Sequence, residues 1–202
     1  MKKIIFLFAF VVLVIFLLAY PVFVLKKNVS ISSNVPIETD AILRKIGIFY
    51  LGILPKKDVQ VERSPFKLKI VYNEKTLINV RFKDGEYGLT ENGFLISKSE
   101  SDLPLAIANF SHSSYNKEIG DLFLYFKNKD LLDVVKSFEI FDKSIAFVDK
   151  NGIFVIMGKG DYDLKMKEYF KTTEIVFKDL KKVEKIDLRF NLQAVIKWRE
   201  NG

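Results

Sequence analysis

The chain closes on a run in which every second residue is apolar: Ile186, Leu188, Phe190, Leu192, Ala194, Ile196 and Trp198, separated by Asp187, Arg189, Asn191, Gln193, Val195 and Lys197. A two-residue period marks a strand with one dry face, and this one runs well past the usual length of about five or six residues. Asn191 tolerates a left-handed backbone, so the run reads either as one long strand or as a hairpin turned near that residue. Elsewhere alternation marks shorter strands in "VSISS", "VQVER", "FKLKIVYNE", "INVRF", "EYGLT", "GFLIS" and "DLFLYF", with turns at "KDG" and "ENG". "SIAFVDKNGIFVIMG" is the clearest hairpin, turned by Lys150, Asn151 and Gly152.

Helical spacing is rarer. "TDAILRKIG" predicts a short helix with Thr39 as N-cap, Ile42, Leu43 and Ile46 on one face, and Gly47 as its stop. "KDLLDVVKSF" predicts another through Leu131, Val134, Val135 and Phe138, and "DYDLKMKEYFK" a third opening at Asp161. The fold class is therefore α+β. A small unit over residues 28–81 is followed by a mostly antiparallel β domain over 82–202 with two or more helices.

The amino terminus has a different pattern. Between Lys3 and Lys26, the 22 residues Ile4–Leu25 carry no charge. As a helix they would reach about 33 Å, enough for a hydrocarbon core of about 30 Å. A signal peptide's apolar region covers only about 7 to 15 residues. The length therefore predicts a retained transmembrane helix over 4–25, with residues 1–3 as a short cytoplasmic segment.

Composition narrows the function. The net charge is +7, but setting aside Lys2, Lys3, Lys26 and Lys27 takes the 32 basic residues to 28 against 25 acidic ones. Both signs are interspersed, which describes a solvated surface and not a phosphate-binding stripe, so no nucleic-acid partner is expected. There is no cysteine, and His112 is the only histidine. "FSHSSY" lacks the spacing of a zinc or hydrolase motif, and in "MGKGDYD" the third glycine of a dinucleotide fingerprint is replaced by Asp163, whose carboxylate would repel a pyrophosphate. No catalytic group, metal, cofactor or small-molecule substrate is expected. The chain reads as a non-enzymatic protein.

Several stretches match one order of motifs. "VERSPFKLKIVYNE" carries Val61, Arg63, Pro65, Leu68, Ile70 and Glu74 in a V-x-R-x-x-P-x-x-L-x-I pattern, and "DLPLAIANF" carries Leu103 and Pro104. "YGLTENGFLI" forms a hairpin, "GIFVIMGKGDYDLKMKEY" a strand, glycine turn and helix through Gly152, Gly158, Lys165 and Met166, and the last stretch contains Ile186, Asp187, Leu188, Arg189 and Phe190. In this order, after one apolar span, the chain resembles the FtsQ/DivIB family of bacterial cell-division proteins. That resemblance implies a POTRA domain over 28–81, here shortened between Gly47 and Asp58, and a β domain with a partner-binding C-terminal strand. It implies a single-pass protein of the plasma membrane with its amino terminus in the cytoplasm and its domains outside. The implied partners are FtsB/FtsL(DivIC)-type division proteins and, through them, a septal peptidoglycan synthase. Strand addition at the C-terminal edge would use Arg189, Phe190, Leu192 and Trp198, with Tyr169 on the preceding helix. Two other readings are a single-span lipid-transport protein with a β-jelly-roll body, which needs a continuous apolar groove, and an anchored cell-wall enzyme, which needs a catalytic constellation.

Overall fold

A computed structural model describes residues 8–12, 14, 23–51, 59–64, 67–97, 101–190 and 193–200. The protein is mixed α+β, mostly strands with few helices. Most of the Ile4–Leu25 run lies outside the described residues. Residues 8–12 and 14 are helical, and among the described residues no helix is long and apolar enough to cross a membrane. The chain divides into two compact units, Met1–Glu74 and Lys75–Gly202. The passage expected to end the first unit near Arg81 instead lies inside the first strand of the second.

In the first unit, β1 (Phe23–Leu25), β4 (Phe49–Leu51) and β3 (Arg44–Ile46) form one antiparallel sheet. The other sheet sets β6 (Lys67–Tyr72) between β2 (Val29–Ser33), parallel to it, and β5 (Gln60–Ser64), antiparallel. Leu68, Ile70 and Tyr72 alternate inward along β6, as their spacing predicted. The helix expected over Thr39–Gly47 is a single turn, α1 (Thr39–Ile42), with Glu38 and not Thr39 at its N-cap. Gly47 does not stop a helix; at φ +60° it is the first residue of the two-residue turn joining β3 to β4. A hairpin with glycine there matches the twist of its strands and draws Arg44–Ile46 out of the helical path. Asn34 closes the unit on its last residue, donating through Nδ2 to the Glu74 carbonyl at 3.0 Å and accepting from the Glu74 N–H at 2.9 Å.

The second unit begins with β7 (Thr76–Phe82), β8 (Gly85–Thr90) and β9 (Leu95–Ile96), with β10 (Leu105–Ile107) running parallel beside β7. A five-stranded sheet follows in the order β11 (Val135–Phe141), β12 (Ser144–Asp149), β13 (Phe154–Ile156), β14 (Val183–Asp187), β15 (Val195–Trp198). Among the described residues, one parallel bridge, Ala108 to Phe138, joins the two sheets. β13 and β14 are parallel, and α3 (Tyr162–Ile175) connects them.

Two expectations exchange places here. "DLFLYF" is not a strand: it lies within helix α2 (Lys117–Asn128), where Ile119, Leu122, Phe123 and Phe126 recur at helical spacing and are buried. Asn116 caps it, its side-chain oxygen accepting from the Ile119 N–H at 3.0 Å, as a good N-cap should. "KDLLDVVKSF" is not a helix but a short 3-10 turn leading into β11. Left-handed Asp130 (φ 53°) stops α2 just before it. Phe138 then meets Phe123 and Phe126 edge-on, at centroid distances of 4.6 and 5.3 Å, and Phe126 meets Phe147 at 5.3 Å. Burial of one sheet face under these rings overrides the local helical pattern.

The closing run is a hairpin and not one long strand. Ile186 pairs with Ile196 and Asp187 with Val195, so β14 lies inside the sheet and β15 at its edge. Asp161 holds the N-cap position of α3 in a left-handed conformation (φ 49°) with no side-chain capping bond.

Replacing Phe126 with Ala should remove the ring shared by α2, β11 and β12 and lower stability by about 3–5 kcal/mol, read as a shift in the urea midpoint at unchanged slope.

Candidate partner-binding edge

β14 enters the sheet beside β13, and the Leu188 N–H continues the ladder to the Ile156 carbonyl at 2.9 Å. Directly before it stands Asp187, whose side chain is almost fully buried. Arg189 reaches back to this carboxylate through a fork: Nε to Oδ1 at 3.0 Å and Nη2 to Oδ2 at 2.7 Å, while its backbone N–H donates to Oδ1 at 3.1 Å. Burial alone would raise the Asp187 carboxyl, but the Arg189 side chain and backbone N–H, with Lys185 nearby, hold it below the usual range. Arg189 lies tight against Gly158, where a Cβ would stand 2.9 Å from Arg189 Cγ on a backbone already at φ +63°. Glycine is therefore required at 158.

After this clamp, β15 pairs back along β14. Phe190 follows Arg189 and is 53% exposed. Leu192, expected at the site, lies outside the described residues. β15 then runs along the edge with Val195 and Trp198 half-exposed. Every second backbone N–H and C=O of an edge strand points away from its neighbour, and among the described residues no strand pairs with β15 on its outer side. Lys197 is drawn to Glu184 at 2.9 Å. Beside the turn lies a groove of about 250 Å³, lined by Asp161 at the start of α3, by Leu164, Lys165 and Glu168 of α3, and by Leu188, Phe190 and Gln193. Leu164, Leu188 and Phe190 supply apolar wall, and Asp161 and Glu168 with Lys165 supply the charge, which suits an apolar side chain flanked by polar ones.

The structure brings Arg189 and Phe190 together just past the end of β14, whereas Trp198, paired with Val183, stands at the other end of β15, and the three have different roles. Phe190 and Trp198 face solvent, whereas Arg189 is committed to Asp187. Tyr169 is 3% exposed. Its hydroxyl donates to Asp149 Oδ2 at 2.7 Å, and burial, reinforced by that carboxylate, raises its pKa well above the ordinary phenol value. Asp149 also accepts from the Ile153 N–H at 2.8 Å, so Tyr169 ties α3 to the β12–β13 turn. Sequence reasoning missed Leu164 and Val195. Leu164 follows the helix cap on a weakly amphipathic helix, and Val195 occupied a polar slot of the alternation, which was a legible sign of an apolar residue on the wet face.

His112 serves another purpose. Its Nδ1 lies 2.7 Å from Asp84 Oδ2, the Ser111 hydroxyl donates to the same oxygen, and the imidazole stacks on Tyr87. The Ser111 hydroxyl and then the His112 N–H hold Asp84 well below the usual carboxylate range. The serine hydroxyl is directed at the carboxylate, not the imidazole, so the cluster anchors the loop before α2 to the β7–β8 turn. Among the described residues, no group of three or more His, Asp and Glu side chains is placed to hold a metal ion. Comparison with protein-family models and with curated proteins returns no match.

Replacing Arg189 with Ala should destabilise the protein by about 2 kcal/mol at neutral pH, the cost of leaving a buried carboxylate without its charged partner. Because the Asp187 pKa is depressed by folding, that contribution is complete above the unfolded value of about 3.9 and fades as pH falls through the folded one. Urea midpoints of the two proteins should converge toward acid pH.

Proposed function

We propose that the protein is a non-enzymatic, membrane-anchored scaffold of the FtsQ/DivIB type. Ile4–Leu25 is its single span, its amino terminus is in the cytoplasm and both units are outside. The second unit accepts a strand from an FtsB/FtsL(DivIC)-type partner along β15 and, through that partner, links to a septal peptidoglycan synthase. The observation that carries this reading is the open outer side of β15 beside solvent-facing Phe190 and Trp198. Natural sheets usually blunt such an edge, and main-chain pairing there would supply affinity while Phe190 and the adjoining groove supply selectivity.

β15 has four residues, so a partner strand gains few ladder bonds and the aromatic anchors must carry much of the affinity. In the full-length protein, Phe190→Ala or Trp198→Ala should weaken binding of such a partner by about 2 kcal/mol, roughly thirtyfold. Unaltered affinity in both alanine variants would remove this surface from the reading.

Placement is tested separately. A phosphatase active only outside the cytoplasm, fused after Gly202, should be active in cells. Activity from a cytoplasmic reporter at the same position would reverse the topology.

A further inference from the structure

Among the described residues of the second unit, the most exposed large apolar side chains are not on β15. They are Ile175 and Phe177, 74% and 75% exposed, where α3 passes into the 3-10 segment Phe177–Lys182. Two such side chains largely in water, with half-exposed Phe170 lining one shallow groove with Phe177, mark a contact surface. Lys171, Lys178, Lys181 and Lys182 surround it in sequence, all exposed. Of the two acidic residues in the same stretch, Asp179 is occupied by Lys182 at 2.7 Å, leaving Glu174 against three lysines. An apolar tip within a basic collar matches one chemistry, a bilayer surface bearing anionic headgroups: the rings enter the acyl boundary and the lysine stems lie along it.

Strand directions add a second argument. β10 is parallel to β7, the Ala108–Phe138 bridge is parallel, and β13 runs with β14. Since β11, β12 and β13 alternate in direction, β13 and β14 run with β7. α3, which connects them, therefore returns to the end of the sheet at which β7 begins. Ile175 and Phe177 lie at the end of this unit where the chain enters it from the amino-terminal side.

We propose that this tip docks on anionic lipid, so that the second unit has a membrane contact of its own. The proposal rests on the anchored reading only for the nearness of a bilayer. The natural chain has no cysteine, so single cysteines can be placed in the full-length protein, labelled with an environment-sensitive fluorophore, and read in nanodiscs of phosphatidylcholine with or without phosphatidylglycerol. Glu174→Cys reports on the tip, Lys83→Cys on the opposite end of the sheet, and Val12→Cys on the anchor. In discs containing phosphatidylglycerol, quenching by lipid-borne spin label should be about threefold greater at 174 than at 83. It should fall to the control level in neutral discs and when Phe177→Asp or the pair Lys178→Gln and Lys181→Gln is added. Equal quenching at 174 and 83 overturns the proposal. So does shielding of 174 from aqueous iodide without lipid quenching, which would assign the tip to a protein, and loss of that shielding on dilution would identify a second copy of this chain. An unquenched label at 12 would refute the anchor while leaving the reading at 174 to decide the tip.

Discussion

The candidate edge depends on a carboxylate held in the interior. A buried, unpaired Asp187 would cost several kcal/mol or take up a proton. The Arg189 fork and backbone N–H provide the charge-assisted bonds that keep it ionised where β14 ends. Arg189 folds back onto its own strand, its backbone N–H turned to the Asp187 side chain and not to a neighbouring strand. The chain turns out past Phe190 and returns as β15, and Gly158 on the neighbouring turn leaves the space in which the guanidinium stem lies. The edge strand thus returns from a segment fixed by a pairing inside the same hairpin.

Short-range rules were sufficient where one pattern dominated. The hairpin at Asn151 and Gly152, the inward row of Leu68, Ile70 and Tyr72, and the helix after Asp161 were legible because alternation, turn residues and length agreed. They failed where two periods fit the same letters. In Asp121–Phe126 an alternating reading competed with a helical one, and the deciding signal was outside the segment, at Asn116. In Leu131–Phe138 the apolar spacing was helical, yet Phe138 is needed under the sheet against Phe123 and Phe126. At Thr39–Gly47 the glycine that can end a helix also starts a two-residue turn, and the strand pairing of Arg44–Ile46 with β4 selected the turn.

The site itself was partly legible. Alternation placed Phe190 and Trp198 on a sheet terminus, but period alone does not tell an aromatic residue that is buried from one left in water at an edge. Tyr169 shows the difference: an aromatic on the preceding helix, read as a contact, is instead the hydrogen-bonded core partner of Asp149. Lys197, paired with Glu184, places a charge on an otherwise apolar edge. This is the usual guard against indiscriminate pairing, and it requires an incoming strand to offer something that tolerates or matches that charge.

The bridge between Ala108 and Phe138, flanked by the Asn109 side chain bonded to Ser137 and Glu139, has a mechanical meaning. The second unit is two sheets meeting at a narrow seam, and α2 lies across it. At its start Gly120 is packed close to Tyr115, whose hydroxyl holds the Gly93 carbonyl, while Phe123 and Phe126 press on β11 and β12. The helix acts as a splint. Four ladders join β15 to β11, and Phe123 and Phe126 of α2, seated on Phe138 and Phe147, fix the two strands at which that series ends.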